Sequence, residues 1–89
     1  MAESEGEIKR RVFCELLRKQ FNATPPEWVD IQAGKKALVF GQWFVVYDTG
    51  SIVVPNNENK VTKWLQKAKE DLEALEWHEM LEIAFKNKN

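Results

Sequence analysis

The chain has 89 residues, 44% of them hydrophobic and 30% charged, with four Trp and five Phe. That length makes one domain over residues 1–89, and aromatic side chains that each bury about 150–250 Å² exclude a disordered segment. Thirteen basic against fourteen acidic residues leave a net charge of -1, so nothing at the whole-chain level points to nucleic acid or a membrane surface.

The single cysteine, Cys14, excludes an intramolecular disulfide and fits a reducing compartment. No apolar run approaches the roughly 18–20 residues of a membrane span, and the first residues lack the apolar segment of a secretory signal. A cytoplasmic protein with no membrane partner is the expectation.

Taken in order, Ser4-Glu5-Gly6-Glu7 has the spacing of a capping box, in which the first and fourth residues satisfy each other's backbone donors. Ile8, Val12, Phe13, Leu16, Leu17 and Phe21 then recur at helical steps on one face. Glu7, Arg10, Arg11, Glu15, Arg18 and Lys19 take the other. Asn22 and the Pro25-Pro26 pair end the pattern, which predicts a helix over 4–21.

Trp28–Gln32 alternates and predicts a brief edge strand, with Ala33-Gly34-Lys35 as the following turn. Ala37–Pro55 is the most apolar stretch and is rich in Val, Phe and Tyr, which suit a pleated surface. Gly41-Gln42 and Asp48-Thr49-Gly50 cut it into three runs, predicting an antiparallel meander with the first break as a two-residue turn and Gly50 left-handed. The middle run, Trp43–Tyr47, has no polar face, so it belongs in the middle of the sheet or under cover on both sides. Trp43 and Phe44 are expected in the core.

From Lys60 to about Lys86 the pattern is helical without Gly or Pro. Val61, Trp64, Leu65, Ala68, Leu72 and Leu75 form one apolar set, and Trp77, Met80, Leu81, Ala84 and Phe85 form a second. At 100° per residue the two sets point in nearly opposite directions. Both can pack on the same molecule only if the helix breaks near Glu76. The whole order, α-β-β-β-α with one long or two C-terminal helices, predicts a two-layer α+β domain with its helices on one face of a three- to four-stranded meander.

Few constellations carry chemistry. Val45-Val46-Tyr47-Asp48-Thr49-Gly50-Ser51 resembles the active-site turn of aspartic proteases, in which paired Asp carboxyls share a proton. That resemblance implies a homodimeric protease, but it covers seven residues and does not extend. Those enzymes are almost entirely strand, and no Gly follows Gly50 to supply the segment that supports the active-site loop. A hairpin loop made of the residues such loops require is the preferred reading.

His78 is the only histidine, too few donors for a metal set. Cys14 and His78 lack any local signature of a nucleophile–base pair. No phosphate-cradling glycine motif is present. No enzyme, metal or cofactor is expected.

Two binding surfaces remain. Lys60, Lys63 and Lys67 make a basic ridge where the last helical segment begins. Helix, three strands and a lysine-opened helix are similar, in topology only, to the double-stranded-RNA-binding domain, which implies phosphate contacts by those lysines. Trp77, Met80, Leu81 and Phe85 make an apolar stripe that a small domain has little surface to cover. The leading expectation is a non-catalytic protein–protein interaction domain, docking on a protein partner or forming a homodimer through that stripe, with nucleic-acid binding as the alternative.

Overall fold

The computed structural model describes residues 4–85. Helix α1 (Glu5–Phe21) starts on the expected capping box: Ser4 Oγ accepts from the Glu7 N–H at 3.2 Å, and Glu7 Oε1 accepts from the Ser4 N–H at 3.1 Å. It ends on Asn22 in the left-handed conformation, φ 51°, whose N–H reaches the Arg18 carbonyl at 2.8 Å. Four antiparallel strands follow in sequence order, β1 (Trp28–Ile31), β2 (Gly34–Val39), β3 (Gln42–Tyr47) and β4 (Ile52–Val53). Helix α2 (Lys60–Ala74) and helix α3 (Trp77–Phe85) complete an α+β domain.

Two turns differ from expectation. The β2–β3 turn is Phe40-Gly41, with Val39 opposite Gln42, and both turn residues have positive φ, 49° and 82°. That is the backbone of a type I′ turn, which matches the twist of the flanking strands. Between β1 and β2 the turn is Gln32-Ala33, and Ala33 rather than Gly34 is left-handed. Gly34 instead lies in β2, where a Cβ would stand 2.7 Å from the Tyr47 Cα; the strands approach too closely there for a side chain.

The core lies between the sheet's inner face and the helices. Ala37, Val39, Phe44, Val46 and Ile52 point inward and are buried with Ile8, Val12, Phe13 and Leu17 of α1 and Leu65, Ala68 and Leu72 of α2. Phe13 and Phe44 stack at 3.9 Å between centroids, with ring planes 7° apart. Trp43, expected in the core, is on the other side of the sheet and exposed. Side chains alternate along β3, so burying Phe44 and Val46 turns Trp43 and Val45 outward.

Arg10, given to the open side of α1, is also buried, and so is its neighbour Lys9. Lys9 donates to the Gly50 carbonyl at 3.0 Å and Arg10 to the Val46 carbonyl at 2.8 Å. Gly6 allows this close seating: a Cβ there would meet the Tyr47 carbonyl at 2.2 Å, and its own N–H donates to the Asp48 carbonyl at 3.2 Å.

Candidate functional site

The C-terminal stripe does not stay together on one open surface. Helix α2 ends at Ala74, the cap residue Leu75 is extended, and the Glu76 N–H is capped by Glu79 Oε1 at 2.9 Å. This break turns α3 back onto α1. Met80 is buried, Leu81 and Phe85 are half-buried against the core, and the Arg11 guanidinium lies 5.2 Å from the Phe85 ring. Of the four residues, Trp77 alone is exposed, at 46%.

The lysine ridge is present on the open side of α2, but neighbouring carboxylates temper its charge. Lys63 lies 3.7 Å from Glu58, and Lys67 lies 3.4 Å from Asp71 one turn on. Such exposed pairs contribute little stability, yet they lower the field a phosphate backbone would meet.

The Asp48-Thr49-Gly50 loop is held by α1 and by the β1–β2 turn. Arg10 Nη2 stands 3.3 Å from Asp48 Oδ1, the Asp48 N–H donates to the Ala33 carbonyl at 2.8 Å, and Lys9 holds Gly50. Lys9 is itself paired with Glu5 at 3.1 Å. This geometry fits a hairpin loop that docks a helix.

Cys14 is half-buried, and desolvation raises its thiol pKa above the ordinary value, with a smaller opposing pull from the Trp28 indole N–H. A raised thiol pKa means little thiolate near neutrality and weak nucleophilicity. His78 is exposed, with Nδ1 3.6 Å from Glu76. Among the described residues no group of three or more His, Cys, Asp or Glu side chains could hold a metal ion, and no helix is long and apolar enough to cross a membrane.

Two apolar surfaces stand out instead. The first is the outer face of the sheet. Strand register places Val29, Lys36, Val45 and Val53 in one cross-strand row and Leu38 beside Trp43 in the next. Val29, Leu38, Trp43 and Val53 are 44–53% exposed, and Lys36 is the one charge in these rows, its ammonium 4.3 Å from the Trp43 ring centroid. The missing polar face of Trp43–Tyr47 was the sequence signal for this surface.

The second is a recess of about 330 Å³ between the end of α1, the β2–β3 turn and the start of α2, lined by Phe21, Phe40, Lys60, Val61 and Trp64. Its rings meet edge to face: Phe21 on Phe40 at 5.2 Å and 74°, Phe21 on Trp64 at 5.0 Å and 73°. Sequence spacing gives little sign of it, because three separate elements supply the rings. No family model, curated protein or solved structure matches this chain.

Proposed function

We propose that this chain is a non-catalytic protein–protein interaction domain, cytoplasmic and free of cofactors, that self-associates through the open face of its sheet. The observation that carries the reading is the outer face itself, with Val29, Leu38, Trp43 and Val53 exposed and Lys36 the single charge among its two rows. A contiguous exposed apolar patch on a small domain is often a functional contact surface.

A second copy is the occupant that fits. Two such sheets related by a two-fold axis would pack face to face about 10 Å apart, as in a β-sandwich, with matching apolar rows on both sides. Four exposed side chains per face make a small contact, nearer a transient interface than an obligate one. The dimer is expected to be weak and concentration-dependent. Lys36 sets that limit, since its ammonium must be held on Trp43 or drawn to the rim as the faces close.

Sedimentation equilibrium from about 1 μM to 1 mM tests this, with two substitutions of opposite sign. Lys36→Met should tighten the dimer at least about tenfold by removing the charge, and Val45→Lys should abolish it by adding a second one to the same row. A chain that stays monomeric across that range, or dimerises equally well with Val45→Lys, overturns the reading.

A further inference from the structure

We infer that the recess between α1, the β2–β3 turn and α2 receives an aromatic or large aliphatic side chain carried next to a carboxylate, from an acidic segment of a partner protein. The site is distinct from the outer sheet face and does not depend on it.

Its most informative residue is Phe40. A type I′ turn needs positive φ at both central positions, which is why Asn and Gly dominate there. Phe40 occupies the first of them at φ 49° and stays 51% exposed. Holding a non-glycine residue in the left-handed region costs on the order of 1 kcal/mol, and a ring left half in water returns only part of that. An observed backbone outlier of this kind, at an exposed aromatic, points to a use for the ring.

The surroundings are apolar and shaped for a side chain. Trp64 is fixed at its indole N–H by Gln20 Oε1 at 2.7 Å and by the Phe13 ring 5.9 Å away. A volume of about 330 Å³ lies at the small end of ligand pockets, the size for one anchor residue rather than a cofactor.

Charge defines the rest of the occupant. The first turn of α2 holds no acidic residue; Lys63 there faces Glu58 at 3.7 Å, and Lys60 lies at the recess itself. A cation such as Lys60 at the positive end of a helix dipole opposes its own helix by about 0.3–1 kcal/mol. A carboxylate beside the anchoring side chain reverses that penalty, since it meets Lys60 at the rim and the helix start together. A cationic side chain, the usual guest of an aromatic cage, is disfavoured by the same lysine.

The test uses N-acetyl-phenylalanine, which has a ring and a free carboxylate, against the neutral N-acetyl-phenylalaninamide. Binding is followed by the Trp64 indole N–H resonance of the full chain. The acid should bind with a dissociation constant of about 1 mM, and the amide several-fold more weakly. Lys60→Gln should erase the difference between the two probes. Phe40→Asn should lose at least about tenfold in affinity while the thermal midpoint holds or rises, because Asn suits the turn better. The inference fails if the Trp64 resonance does not move, if acid and amide bind alike, or if the shifts gather on Trp43 and Val45 instead. It also fails if Phe40→Asn lowers the midpoint as a core truncation does, since the ring would then serve the fold.

Discussion

The two faces of the sheet are made of the same kinds of residue and behave as different materials. On the inner face Phe44 and Val46 are fully buried, and Phe44 stacks on Phe13 at 3.9 Å. On the outer face Trp43, one position away, stands 44% exposed over Lys36. Both faces of β3 are apolar in sequence, so hydrophobicity alone cannot separate them. What separates them is the helical layer, because α1 and α2 both pack on the β3 side that carries Phe44. The inner face has become core, and the outer face is core-like surface without a second layer. Such a surface supports contact with another molecule better than it supports chemistry, since polar groups that could act on a substrate are scarce on it.

The strongest test of this contrast is a pair of truncations on neighbouring residues. Phe44→Ala empties the stacked centre and should lower unfolding free energy by about 3–5 kcal/mol. Trp43→Ala, measured at low micromolar concentration to keep self-association out of the reading, should cost less than about 1 kcal/mol. Urea unfolding of both variants at one concentration provides the measurement. Equal losses would mean that the outer face is already covered within one molecule, and the contrast would be gone.

A smaller effect is expected at the polar clasp on the inner side. The Arg10 guanidinium is buried, donates to the Val46 carbonyl at 2.8 Å, and lies 6.0 Å from the Trp28 ring. Arg10→Ala removes this buried charged donor and its ion pair with Asp48, a loss of about 2 kcal/mol. Arg11, the next residue along the helix, instead lies against Phe85 of α3. Amide hydrogen exchange should locate the Arg10→Ala damage in β3, β4 and the 48–50 loop rather than in α3. Loss of protection confined to α3 would assign the effect to helix packing instead.

These cases show where sequence patterns succeed and where they stop. The ends of α1 were legible because Ser4, Glu7 and Asn22 act within a few residues of themselves. The break at Glu76 was legible as a conflict between two apolar sets, which geometry resolves by turning α3 back. Burial of Lys9 and Arg10 was not, since their acceptors are carbonyls some forty residues away. The β2–β3 turn was misplaced by one residue for a related reason. Composition favours Gly first, whereas strand register puts Phe40 there and leaves Gly41 second. The aromatic recess needed all three elements in place before its rings could meet.

The smallest effect concerns Asp30 and Lys35, opposite each other on β1 and β2 and paired through Asp30 Oδ1. They point to the helical side of the sheet, yet Asp30 is exposed, so the inner face is not closed at this edge. The hydrogen bond from Lys35 and then its charge hold the Asp30 carboxyl below its ordinary pKa of 3.8. A carboxyl depressed in the folded state stabilises the fold above its unfolded pKa, and that contribution disappears as pH falls through the folded value. Asp30→Asn should therefore lower the urea midpoint slightly at pH 7, and the gap from the parent chain should close as pH falls below the ordinary carboxylate range. Water screens so exposed a pair, which keeps the gap small, and added salt should narrow it further. A gap that persists unchanged at low pH would show Asp30 acting through its shape in the strand rather than its charge, leaving Lys9 and Arg10 as the charged groups that tie the sheet's loops to α1.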